Sequence, residues 1–287
     1  MPSLVQANPI RPDRVTEIGR RTQAGPSQKI TKGKPMRKSI LGLSAVALAA
    51  LSAPAFAQDE AAPALTVTGN AAVVTDYRFR GISQTDKRFA LQGGITISHE
   101  SGLYVSVWGS SIDDYVYNGG DQELDLIAGF SKTVGAATFD AGVLYYYYPG
   151  TGGINSDFFE PYASVKGTFG PATAKVTVNY APKQAAIGLG SQIPGGGPKK
   201  DNLYVAGDLS ASIPNTPLGL TAHLGHSFGP SYLVPVGDDY TDWNVGATYS
   251  WGHLTFGVSY VDTDTDFIVG TRNEAKAGVV GSITASF

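Results

Sequence analysis

The chain has 287 residues, with 24 acidic against 21 basic side chains, no cysteine, 36 glycines and 16% charged residues. Residues 1–57 hold nine of the Lys and Arg but two acids, so residues 58–287 carry 12 bases against 22 acids. An acidic body excludes the clustered cations that nucleic acid binding needs, and the lack of cysteine excludes a disulfide scaffold, thiolate metal sites and a cysteine nucleophile.

In chain order, residues 1–35 are rich in Pro, Arg and Lys and have no apolar period, which fits a disordered extension or a start codon placed too early, Met36 being the second of two methionines. Residues 36–57 read as a secretory signal peptide. Arg37 and Lys38 open it, Ile40 to Leu51 form its apolar run, and Ala55, Phe56 and Ala57 make a small-x-small cleavage site after Pro54. The run is too short to span a bilayer as a helix, which needs about 20 residues.

Residues 58–287 are predicted to form one all-β domain. Apolar and polar residues alternate in twelve candidate strands, near 65–80, 89–99, 103–112, 121–133, 137–148, 157–169, 172–182, 201–213, 218–228, 241–251, 253–263 and 274–287. In the last of these, Ala275, Ala277, Val279, Gly281, Ile283, Ala285 and Phe287 share one face, since successive side chains of a strand point to opposite sides. Short turns such as Ser101-Gly102, Gly170-Pro171 and Gly252 take turns with longer joins near 81–88, 113–120, 149–156, 183–200, 229–240 and 264–273. Long and short connections therefore fall at opposite ends of an antiparallel up-and-down β-barrel of about 12 strands, a pattern that matches the rules for transmembrane barrels.

Alternation alone does not separate a soluble barrel from one that faces lipid, because the two differ only in which face looks inward. Three features favour the lipid-facing arrangement. The polar parity carries small residues and glycines as well as charges. Aromatics sit on the apolar parity near strand ends, as with Trp243, Trp251, Phe169, Tyr180, Tyr145 and Tyr147, where a bilayer interface suits them. The final amphipathic strand ends on Phe287.

The run Thr75-Asp76-Tyr77-Arg78-Phe79-Arg80-Gly81-Ile82-Ser83-Gln84-Thr85-Asp86, followed by Leu91-Gln92-Gly93-Gly94 and His99-Glu100-Ser101-Gly102-Leu103-Tyr104, resembles the opening of the TorF-type porin family of proteobacteria. The likeness is dense over 75–112 and looser beyond, and Phe287 resembles the terminal signal read by the barrel-assembly machinery. The resemblance implies an exported protein of the cell outer membrane, with lipids and lipopolysaccharide around it. It carries over no binding residue.

On the parity assigned to the lumen lie Asp76, Arg78, Arg80, Glu123, Asp125, Asp140, Glu160, Lys166, Lys175, Asp208, Glu274 and Lys276. A lipid face would hold an Arg or Lys at midplane depth only at about 2–4 kcal/mol, which places these residues inside as pore-lining candidates. Arg78 and Arg80, two residues apart, would share a strand face. Closure of the last strand on the first would bring Glu274 and Lys276 near them. Two readings stay open, a charged constriction that filters solutes and an ion-pair network that rigidifies the barrel. Twelve strands also leave the bore open to a narrow passage or to one plugged by the loop 183–200, whose Gly188, Gly190, Gly195, Gly196 and Gly197 would let it fold inward, a surface excursion being the commoner behaviour of such a loop.

Other clusters carry less. His223 and His226 would face opposite sides of a strand and chelate no common metal. Asp262, Asp264 and Asp266 recreate the start of a calcium loop, but Phe267 stands where the turn needs Gly. Tyr145 to Tyr148 divide between girdle and lumen wall. Glu123 and Asp125 share a face as an acid–base pair would, and His99 or His253 would be within the means of a serine hydrolase, but no Gly-x-Ser-x-Gly motif occurs. The expected function is passive diffusion of small hydrophilic solutes without cofactor, metal or catalysis, slightly favouring cations through the lumen acids and Asp113, Asp114, Asp238 and Asp239. A non-conducting structural or adhesive barrel and a lipid-modifying enzyme are the alternatives.

Overall fold

The computed structural model describes residues 64–190 and 197–287. The extension 1–35, the signal peptide 36–57, and Gly195 and Gly196 of the 183–200 loop lie outside the described residues. Twelve long strands form the wall. They are β1 (Leu65–Val74), β4 (Ala90–His99), β5 (Leu103–Ser111), β6 (Gln122–Val134), β7 (Ala137–Tyr147), β8 (Phe158–Phe169), β9 (Ala172–Gln184), β10 (Lys200–Ser212), β11 (Leu218–Phe228), β12 (Asp239–Trp251), β13 (Leu254–Thr263) and β16 (Gly278–Ser286). Two small hairpins, β2 (Arg78–Phe79) with β3 (Ile82–Ser83) and β14 (Ile268–Val269) with β15 (Arg272–Asn273), lie in the long connections after β1 and β13.

Each wall strand pairs antiparallel with its neighbours in the chain, and β1 closes the barrel on β16 from Asn70↔Ser286 to Val74↔Ser282. Closure removes the free edges that an open sheet would present, which a bilayer does not tolerate. The backbone of Phe287 extends this seam, exchanging hydrogen bonds with Gly69 at 2.8 and 3.0 Å.

The alternation resolves in the lipid-facing sense. Leu91, Val105, Val143, Val176, Leu209, Leu220, Val245, Val258 and Val279 all project outward and are exposed, while Asp125, Glu160, Asn202 and Asp242 on the other parity are buried. Water would penalise so continuous an apolar exterior and acyl chains would not. Tyr145, Tyr147, Tyr180 and Trp243 ring the long-loop end, and Phe169 and Trp251 the short-turn end, all exposed, as two interfacial girdles.

Two predicted strands are too long. The first stops at Val74, not at 80, because at Thr75 the chain leaves the wall and turns into the lumen through Arg80 and Gly81, with φ of 47° and 81°. Its polar residues keep a two-residue spacing through Asp76, Arg78 and Arg80, so the pattern cannot mark where the wall ends. The last strand begins at Gly278, not at 274. Lys276 consequently lies in the connection and is exposed, and Ala275 is buried against Ile82, Val234 and Tyr240 instead of facing outward.

Val245→Arg, at mid-height on the outer face of β12, is expected to cost about 2–4 kcal/mol, whereas arginine at Asn244, which faces the cavity, should cost far less. Urea unfolding in phospholipid vesicles measures both, and equal costs would contradict the inside–outside assignment.

Candidate functional site

The connection 75–89 folds into the barrel instead of away from it. Arg80 anchors it, sending Nη2 to Glu160 Oε1 on β8 at 2.6 Å and Nη1 to Asn202 Oδ1 on β10 at 2.9 Å, with its guanidinium 4.1 Å from the centre of the Tyr204 ring. Glu160 is fully buried, and its other oxygen accepts from Tyr146 Oη and Asn179 Nδ2, both at 3.2 Å. A carboxylate this deep is tolerated only when charge and lone pairs are both satisfied, and here they are. Tyr240 Oη donates to the Arg80 carbonyl at 3.1 Å, and Tyr77 Oη to Glu123 Oε1 at 3.0 Å.

Arg78 serves the segment itself. Its Nε donates to Asp76 Oδ2 at 2.6 Å, and its Nη1 reaches the carbonyls of Gly81, Glu274 and Lys276 at 3.0, 3.3 and 3.0 Å. The expected meeting of Arg78 with Glu274 and Lys276 thus occurs through main-chain oxygens. The two arginines do not share a strand face, since Arg80 sits in the turn of the β2–β3 hairpin. The hairpin packs so closely on the wall that a Cβ at Gly81 would come within 2.3 Å of Thr263 Cγ2 and 2.9 Å of Asp242 Cβ.

Above this segment the long loops add an aromatic cap. Tyr117 packs against Tyr148 and Tyr232 at centroid distances of 4.3 and 5.1 Å, and the Tyr232 amide donates to the Ile187 carbonyl at 2.9 Å. Ala186 and Ile187 are buried there, so the start of the 183–200 loop does turn inward, onto the cap. Glu274 lies buried at this end, with Lys87 Nζ and Arg272 Nε each 3.6 Å from its oxygens. Burial holds its carboxyl above the usual glutamate range, and Lys87 opposes the shift. Arg88 pairs with Asp113 at the surface.

Below the segment lies a cavity of about 540 Å³, reaching from Arg78 and Arg80 down to His99, Gly102, Ser131 and Thr284 at the short-turn end. Its wall has two unlike arcs. On β8 to β12 the register sets Lys166, Lys175, Asp208, His223 and Asn244 in one row across the strands, the last four of them bordering the cavity. Asp208 Oδ1 lies 2.7 Å from His223 Nδ1, and Asp242 Oδ1 3.1 Å from His223 Nε2, so each ring nitrogen faces a carboxylate. Tyr204 Oη donates to Asp242 Oδ2 at 2.9 Å across Gly225, where no side chain would fit. The facing arc, on β1, β4, β5, β13 and β16, offers Thr66, Asn70, Gln92, Thr96, Ser106, Ser259 and Ser282, all uncharged.

Of the candidates read from the sequence, Asp76, Arg78, Arg80, Asp125, Lys175 and Asp208 border this cavity. Glu123 and Glu160 are buried under the inward segment, Asp140 is buried where the Tyr104 hydroxyl donates to it at 2.9 Å, and Lys166 is half-buried beside Lys175. Glu274 seals the long-loop end and does not border the cavity. His223 and His226 do point to opposite sides, His226 resting on Phe228 outside. Among the described residues no group of three or more His, Asp or Glu side chains is placed to hold a metal ion. Sequence reasoning missed Asn202, Tyr204 and Asp242, although all three share the lumen parity of Asp208 or Asn244.

Removing the guanidinium in Arg80→Met strands a buried carboxylate, so a loss of about 3–5 kcal/mol is expected, most of it restored when Glu160→Met is added. Urea unfolding of the single and double variants in vesicles measures this, and an unrecovered double variant would contradict it.

No curated protein matches this chain. Among solved structures, the NanC porin aligns with a TM-score of 0.54 at 10% identity, covering 77% of this chain and 99% of that one. The KdgM porin gives 0.47 at 7% identity over 77% and 98%, and an outer membrane channel from Pseudomonas putida F1 gives 0.42 at 12% identity over 79% and 97%. At such identity the likeness to NanC is one of fold. A family model described as "Bacterial protein of unknown function (Gcw_chp)" matches residues 58–287, and the chain belongs to that family.

Proposed function

We propose that the chain is an outer-membrane, porin-like channel for passive diffusion of small hydrophilic solutes or ions, and that the inward segment 75–89 controls passage through it. The observation that carries this reading is the polar cavity extending from the short-turn end up to the layer of Arg78 and Arg80. The hydroxyl, amide and charged side chains that border it offer hydrogen bonds to a polar molecule, and the obstacle above it is a connection between strands, not the wall. The resemblance of residues 75–112 to the TorF-type porins supports this reading, as does the likeness in fold to the NanC porin. Export by the signal peptide, insertion through a machinery that reads the strand ending in Phe287, and contact with lipopolysaccharide on the long-loop side complete the proposal. No cofactor or catalysis is part of it.

One observation favours a second reading, a barrel that does not conduct. Tyr77, Ser83, Arg78 and Arg80 are buried as thoroughly as a protein core, and the charge-assisted hydrogen bond from Arg80 to Glu160 ties the segment to the wall.

Single-channel recording in a planar bilayer separates the two. The wild-type barrel should open rarely or to small currents. A variant in which a short Gly-Ser linker replaces residues 76–88 should give a steady and larger current with cations slightly preferred. In the otherwise intact barrel, Arg78→Ala with Arg80→Ala should raise the cation preference above that of the wild type. Silence from the linker variant, folded as judged by heat-modifiable gel migration, would leave the non-conducting barrel.

A further inference from the structure

Asp125 stands apart from every other buried acid in the lumen. It is fully buried, and neither of its oxygens has a hydrogen bond. Glu123 is taken by Tyr77, Glu160 by Arg80, Tyr146 and Asn179, and Asp242 by Tyr204 and His223. The oxygens of Glu274 face two cations, whereas among the described residues no ion pair reaches Asp125. A buried carboxylate left so is costly and calls for a physical reason.

Its surroundings supply one. In the register of the wall, Trp108 on β5 and Tyr146 on β7 stand directly beside Asp125, and both border the same cavity. Tyr77 of the inward segment lies edge-on to Trp108 at 5.5 Å between ring centroids, and Phe79 edge-on to Tyr146 at 6.0 Å. Arg80 of the inward segment directs its two terminal nitrogens to Asn202 and Glu160. The niche thus combines an unpaired carboxylate with aromatic rings.

We propose that Asp125, with the rings of Trp108, Tyr146 and Tyr77, is a binding site for the ammonium group of an organic solute entering the cavity. Ring faces attract a cation through their quadrupole, and the carboxylate supplies the counter-charge. A hard divalent ion needs about six or more oxygen ligands, and one free carboxylate does not furnish them. The uncharged arc of the cavity is left to the body of the solute. Tyr77 and Phe79 close over the niche and belong to the inward segment, so occupancy shifts these rings and couples binding to the segment that blocks passage. The inference deepens the channel reading and rests on it for the solute's route, but the binding is measured without conduction.

The test is calorimetric titration of the purified full barrel in detergent with methylammonium chloride, and separately with potassium chloride, at constant ionic strength. Saturable 1:1 binding of methylammonium is expected, weakened about tenfold or more in Asp125→Asn and within about twofold of wild type in Glu100→Gln, a surface acid at the short-turn end. Should Asp125→Asn lose heat-modifiable migration, Trp108→Leu replaces it, with a loss of severalfold expected. Binding unaffected by these substitutions, equal binding of potassium, or no saturable binding by either salt would overturn the proposal, the last leaving Asp125 a neutral acid without a ligand. A barrel that conducts without binding methylammonium defeats only this inference, and one that binds without conducting defeats only the channel reading.

Discussion

The ion pair between Arg80 and Glu160 is the interaction on which the interior depends. An apolar exterior drives nearly all charge in the strands inward, and a 12-strand lumen has room for only some of it to stay hydrated. The remainder must find partners. One guanidinium, forked between Glu160 and Asn202 and laid on Tyr204, pins a loop to two wall strands. That loop then brings Tyr77 to Glu123 and Phe79 to Tyr146, and with them the layer that divides the cavity from the aromatic cap. The fork geometry of arginine makes this possible, since a lysine ammonium could not hold an amide oxygen and a carboxylate in one plane.

Much of the fold is legible in the residue order because a transmembrane barrel is written at period two. Val245, Ala247 and Tyr249 against Asn244, Gly246 and Thr248 state both the strand and its orientation once the outer face is known. Chain closure is legible too, since the last strand repeats the pattern of the first and ends flush with it at Gly69 and Phe287.

The site is less legible, for a physical reason. A loop that enters the lumen meets the same polar surroundings as the inner face of a strand, so Asp76, Arg78 and Arg80 look alike whether they belong to wall or plug. Only the backbone distinguishes them, through the left-handed φ at Arg80 and Gly81, and a non-glycine residue gives no sequence sign of that conformation. Partners distant along the chain are equally silent. Nothing near Arg80 names Glu160 or Asn202, and the lone state of Asp125 is visible only once the claims on its neighbours have been assigned.

The division of the cavity wall into an ionised arc and a hydroxyl-and-amide arc has a directional consequence. A bore lined evenly would let a small molecule tumble as it moves. Here Lys175, Asp208 and Asp242 put charge on one flank, while the opposite flank presents donors and acceptors without net charge. Under the proposed channel function, a dipolar guest is turned about the barrel axis into a preferred roll angle and meets the arginine layer facing one way.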